Sequence, residues 1–208
     1  MSAARLLEVF RRTLSHNLRR PLFWILVVAV ALTAWGLSEG NVQIGTGSSD
    51  TGGEKPWMTS QFTLSLYLVV LTLLFYGFFV AVGAGMIVVA DDEERVGEIL
   101  HSTPLTTREY VWGKWTAVLA TFLGILALQL VFHAVSNHLL TGAEDAERVG
   151  PFVASNYLWP ATLFSLPLIV LVAGVTFLLG AWTRKAIPVF FFPAALLLVC
   201  VFFLWSWN

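Results

Sequence analysis

Few residues in this 208-residue chain have side chains that could do chemistry, and they fall into two sets. One is a polar group on an otherwise apolar stretch: Gln129, His133 and His138. The other is the acidic run from Asp91 to Tyr110. Two nearby histidines raise the question of a metal or haem. His-Glu-x-x-His is absent, and residues five apart lie roughly 140° from each other around a helix, so His133 and His138 do not share a face. His133 with Gln129 is read instead as a polar pair facing another helix or lining a cavity. Nucleophilic chemistry has no better support, since the chain contains no Gly-x-Ser-x-Gly elbow. Gly113-Lys114 lacks the upstream glycine and the preceding strand of a phosphate loop, so no nucleotide site is expected here. The expectation is therefore no catalytic, cofactor-binding or metal-ligating residue.

The acidic run looks built for docking rather than catalysis. Residues 91–110 hold six carboxylates, Asp91, Asp92, Glu93, Glu94, Glu98 and Glu109, around a hydrophobic triplet. Val96, Ile99 and Leu100 share a face at helical spacing, which predicts a short amphipathic helix that Pro104 stops. Thr106 with Glu109 matches a capping box, restarting a helix that runs through Gly113-Lys114. Carboxylates near a helix start also favour its dipole, which accounts for part of the acidity. A solvated loop, however, needs no apolar face. A short two-faced helix pinned between long apolar runs suits a soluble partner.

Those long runs are the elements that position both sets. They are Pro21–Leu37, Phe62–Ala90, Trp115–Leu139, Tyr157–Trp182 and Ile187–Trp207, each near or above the length that crosses a hydrocarbon core, about 20 residues. The chain is 57% hydrophobic and 12% charged, with a mean hydropathy of +0.77, against a soluble average of about 25% charged. All 12 Lys/Arg and 13 Asp/Glu fall in the connections. The reading is an all-α polytopic membrane helix bundle of about five transmembrane helices. Of the basic residues, only Lys55 and Arg148 fall on one side, which predicts a cytoplasmic N-terminus. The Trp residues sit near the predicted span ends, where amphipathic rings belong.

Before the first span, Ala3–Leu18 reads as an amphipathic helix with Leu6, Leu7, Phe10, Leu14 and Leu18 on one face, suited to the membrane interface. The expected division is residues 1–20 as this interfacial helix and 21–208 as the membrane domain. The first span is expected to stay as an anchor rather than be cleaved as a signal peptide. Lone Cys200, within the fifth span, reads as a small buried apolar residue. Gly77, Ala81 and Gly85 form a small-residue stripe on the second span, used for packing within the chain or for a seam with another half. A net charge of −1 with no separate basic patch gives no nucleic-acid reading.

The order of these features resembles a permease of the type-2 ABC exporter class. The likeness is carried by Asp92, Glu94, Gly97, Glu98, Leu100, Ser102, Pro104, Tyr110, Gly113 and Lys114. A narrower likeness is to the N-terminal permease part of bacterial chains fused to a zinc aminopeptidase. It rests on Arg20-Pro21-Leu22-Phe23-Trp24, Asn41-Val42-Gln43-Ile44-Gly45 and Tyr157-Leu158-Trp159-Pro160-Ala161. The resemblance implies that Asp92, Glu94, Gly97, Glu98, Ile99, Leu100, Ser102 and Pro104 form a coupling helix that seats in a cytosolic ATP-binding subunit. That subunit, not this chain, would hold ATP and magnesium. It further implies a second permease half or a homodimer, a place in the cell (inner) membrane, and export as the direction. A family half-transporter has six spans against five here, so the expectation is a fragment of a longer protein or a partner that supplies the sixth. The alternative is a non-transport anchor or scaffold that recruits a cytosolic partner through residues 91–110.

Overall fold

The computed structural model describes residues 2–39, 58–93, 105–140 and 149–206, with the backbone alone at Asp92, Glu93, Val201 and 203–206. Helix α1, Ala3–Arg19, ends where Arg20 turns extended (φ −69°, ψ 137°), as the residue before a proline prefers. Pro21 then opens α2, Pro21–Ser38, from the first turn, where it sacrifices no helical hydrogen bond. The Ser60 hydroxyl caps α3 by accepting from the Thr63 N–H at 3.3 Å. That helix runs Gln61–Leu71, widens into a π-turn at Thr72–Tyr76, and continues as Gly77–Glu93.

Helix α4 starts at the expected capping box. The Glu109 N–H donates to the Thr106 hydroxyl at 3.3 Å while the Thr106 N–H donates to the Glu109 carboxylate at 3.1 Å. It runs Thr107–Val135 and ends in a π-turn, Ser136–Leu140. Helix α5 comprises Ala154–Pro160, a π-turn at Ala161–Ser165, and Leu166–Thr183. This π-turn lies between Pro160 and Pro167, where a missing N–H interrupts the regular ladder. Arg184 closes α5 in the left-handed region (φ 53°), its N–H donating to the Gly180 carbonyl at 3.0 Å. Two residues later α6, Ala186–Ser206, begins. There is no strand among the described residues.

The chain is thus an all-α bundle, and α2, α3, α4 and α5 are long and apolar enough to cross a membrane. Helix α6 is a fifth apolar helix of 21 residues, about 32 Å at 1.5 Å per residue, with its described apolar stretch at Ala186–Cys200. Its Cys200 is half-buried rather than buried, because this helix lies at the edge of the bundle and packs on one side only. Helices α2 and α4 lie side by side, as do α3 with α5 and with α6. The core is aliphatic and aromatic, built from Leu26, Val30, Leu68, Val80, Val118, Ile125, Ile169 and Val172. The outward faces are equally apolar: Val28, Leu32, Leu74, Val131, Leu171 and Phe191 stand exposed, and Trp24, Trp35, Trp112, Trp159 and Trp182 stand exposed near helix ends. A surface this greasy is at home in lipid.

Helix α1 packs against α4. It runs beside the first turns of α4 in the same direction, with Ser2 at Glu109, Val9 at Gly113 and Asn17 at Thr121. Thr13 and Asn17 are its buried residues, while Leu7 and Leu18 of the predicted apolar face point outward. The reason is Gly113: without a side chain there, α1 settles on that spot through Leu6 and Val9, and the face in line with them carries Thr13 and Asn17. Of the Leu-rich face, Leu6, Phe10 and Leu14 are half-buried, and Leu7 and Leu18 are left uncovered beside the contact.

Candidate functional site

The end of the bundle that bears the N-terminus is organised by the ends of α3 and α4. Asp91, in the last turns of α3, accepts from the Tyr110 hydroxyl and pairs with the Lys114 ammonium, both on α4. Lys114 also lies over the Tyr110 ring, 4.7 Å from its centroid. The pair is largely shielded, with side-chain exposures of 13% and 22%, so it is screened less than a surface bridge. One turn earlier on α4, the Ser2 N–H donates to the Glu109 carboxylate, which is itself buried. A single helix start therefore binds both α1 and the end of α3.

Of the residues assigned to the coupling helix, Asp92 lies in the last turn of α3, and Glu94, Gly97, Glu98, Ile99, Leu100, Ser102 and Pro104 lie outside the described residues. The structure places the two ends of that segment together through Asp91, Tyr110 and Lys114. Tyr110 and Lys114 belonged to the motif in the sequence, but their pairing with Asp91 was not foreseen. The signal available was a charged residue on each side of the segment, without a way to choose its partner.

In the same half of the bundle lies the Gly85 end of the small-residue stripe. A Cβ on Gly180 of α5 would stand 2.6 Å from the Gly85 carbonyl oxygen, and one on Gly85 would overlap Val189 of α6 and stand 3.0 Å from the Thr176 carbonyl. Gly85 is thus the point where α3, α5 and α6 meet inside one chain. Ala81 is fully buried, and Gly77 is buried with no atom within 4 Å of the place a Cβ would take.

Toward the other end the interior turns polar. Thr72 donates to the Ser165 hydroxyl at 2.8 Å, joining α3 to α5. The Tyr76 hydroxyl donates to the Gln129 side-chain oxygen at 2.8 Å, joining α3 to α4. His133 Nδ1 lies 2.9 Å from the Gln129 backbone carbonyl one turn before it. All five side chains, Thr72, Tyr76, Gln129, His133 and Ser165, are at most 1% exposed. The sequence singled out Gln129 and His133 but missed Thr72, Tyr76 and Ser165. A second polar pair four residues apart in an apolar run, Thr72 and Tyr76, was the available signal. Further out, the Tyr157 hydroxyl lies 3.0 Å from His138 Nε2 and accepts from the Asn137 amide at 3.3 Å. Thr59 ties the start of α3 to the start of α5, accepting from the Gly150 N–H at 3.0 Å and the Asn156 amide at 3.1 Å. Among the described residues no group of three His, Cys, Asp or Glu could hold a metal ion.

Among the described residues the arrangement comprises a braced end, a tight helical seam and a polar interior, and pairs no nucleophile with an activating base. Residues 39–207 match the family described as ABC-2 family transporter protein. No curated protein and no solved structure matches the chain. The match begins where α2 ends and takes in the acidic segment together with helices α3 to α6. With most of its length inside that match and its apolar helices in place, the chain belongs to the ABC-2 transporter family, as a multi-pass membrane permease of the kind that works with an ATP-binding subunit.

Proposed function

We propose that this permease couples ATP hydrolysis by a separate cytosolic subunit to export, and that residues 91–110 are where the force enters. The observation that carries this is the bracing of Asp91 against Tyr110 and Lys114. A segment whose two ends were free would absorb a push by flexing. With its ends tied, a push on 94–104 displaces α3 and α4 together, and α1 moves with them through Glu109 and Gly113. Asp92, Glu94, Gly97, Glu98, Ile99, Leu100, Ser102 and Pro104 are the residues that meet the ATPase. In this reading ATP and magnesium stay with that partner, and the chain itself supplies no cofactor site and no catalytic group.

The distribution of lysines and arginines supports a reading with the braced end in the cytoplasm, the chain in the cell membrane and α1 at its inner surface. The uncovered Leu7 and Leu18 stripe supports that last point, since a helix with one face on protein, one apolar face outward and an arginine-rich third face suits a headgroup boundary. A second half, either another copy or a related chain, completes the transporter. Gly97→Leu combined with Glu98→Ala and Leu100→Ala should abolish co-purification of the ATPase and the coupling of its turnover to transport. Unchanged co-purification and coupling would remove the segment from this role.

A further inference from the structure

The buried polar seam contains two atoms without partners: the Gln129 side-chain nitrogen and His133 Nε2, both sealed from solvent. Their chemistry is fixed by the bonds around them. The Gln129 backbone carbonyl can only accept, so the His133 Nδ1 beside it carries the hydrogen, and in the neutral ring Nε2 is left with a bare lone pair. The Gln129 side-chain oxygen is taken by the Tyr76 hydroxyl, which leaves its NH2 as a free donor. One donor and one acceptor therefore stand one helical turn apart on the same face of α4. In hydrocarbon an unmet polar group is costly, and an intramembrane ionisable residue is usually there for a purpose.

We propose that the Gln129–His133 turn binds a single hydroxyl group inside the bundle, accepting from the Gln129 amide and donating to His133 Nε2. A hydroxyl is the smallest group able to do both. A carboxylate or an ionised phosphodiester would have no hydrogen for His133, and a simple cation would face the Gln129 donor. A second copy of the chain cannot reach either atom, because both are closed off within one chain. Entry is through movement of the helices, and the seam lies beside the places where they are least regular. Tyr76 ends the π-turn of α3, Ser165 ends that of α5, and the π-turn of α4 starts three residues after His133. The hydroxyl belongs either to water or to the polar head of an amphiphile in transit, and only the second source rests on the transport reading.

The test is nitrogen NMR of the full chain in lipid nanodiscs, labelled at histidine, with His16, His101 and His138 replaced by Gln so that the only signal is His133. The expected result is an Nδ1–H ring whose Nε2 shift is that of a hydrogen-bonded lone pair, with that shift lost in Gln129→Leu. Magnetisation transfer from water that survives added 1-decanol assigns the site to water. Transfer that 1-decanol abolishes and decane does not assigns it to an amphiphile's hydroxyl. A bare Nε2 shift in every sample, or a proton on Nε2, overturns the proposal, and these readings need no variant at Gln129. No ATPase is involved, so failure here leaves the coupling assignment standing, and failure of that assignment leaves this site standing.

Discussion

The two halves of the bundle differ in how closely their helices touch. In the half that carries Asp91 and Lys114, helices touch where side chains are missing: Gly85 on Gly180, Gly113 under Val9, and Gly83 with a built Cβ only 2.8 Å from the Phe122 ring. In the other half, Gly77 has nothing within 4 Å of a Cβ position, and the helices are joined by buried side-chain hydrogen bonds. All three π-turns lie in this second half or at its boundary with the first. Close backbone contacts resist displacement steeply, whereas hydrogen bonds exchange partners at little net cost. The contrast teaches that the first half is the stiffer of the two and the second the more able to rearrange.

The sharpest way to break this comparison is a side chain in the seam. Gly180→Val should cost about 3 kcal/mol, at the upper end for overpacking, because the obstacle is the Gly85 backbone oxygen and cannot rotate away. Gly124→Ala, in open surroundings, should be neutral or stabilise by up to about 1 kcal/mol. Thermal unfolding of the two purified proteins in detergent reads the difference, and equal midpoints would mean the seam is not tight. Next in size is Tyr76→Phe, which strands the Gln129 oxygen in the interior and should cost about 1–2 kcal/mol in the same assay. A midpoint unchanged from wild type would show that Gln129 finds another partner.

Thr106→Ala removes the hydroxyl that caps α4 and should cost about 1 kcal/mol, loosening the end that braces the acidic segment. Protease cleavage within 94–104 is the sensitive reading, with faster cutting expected in the variant and an unchanged rate counting against the brace. The smallest effect sharpens the second half. A double-mutant cycle of Thr72→Val with Ser165→Ala should return a coupling of about 0.6 kcal/mol, typical of hydrogen bonds inside membranes. A coupling well above that would make the polar half as rigid as the glycine half and erase the contrast.

Much of the fold is legible in residue order, because lipid leaves a chain few options. Backbone groups in hydrocarbon must bond within their own helix, so apolar runs of span length read directly as helices. Helices α2 to α5 contain the first four predicted apolar runs and α6 contains the fifth as far as Ser206, Pro21 opens α2 as expected, and the Thr106–Glu109 capping box is present. These features depend on neighbours in sequence. The face of α1 that packs on α4 depends on the converse. Its partner surface is created by Gly113, far along the chain, which no local pattern around α1 reveals.

The candidate site divides along the same line. Composition, span lengths, charge bias and the acidic segment are properties of residue order, and with them come the membrane class and the resemblance to a permease. Three-dimensional packing decided that Asp91 meets Tyr110 and Lys114, that Gly85 is a seam within one chain where it touches Gly180, and that Thr72, Tyr76, Gln129, His133 and Ser165 form one buried seam. Pairing across helices depends on rotation and depth, which a 3.6-residue repeat leaves free until neighbouring side chains, or their absence, fill the space between.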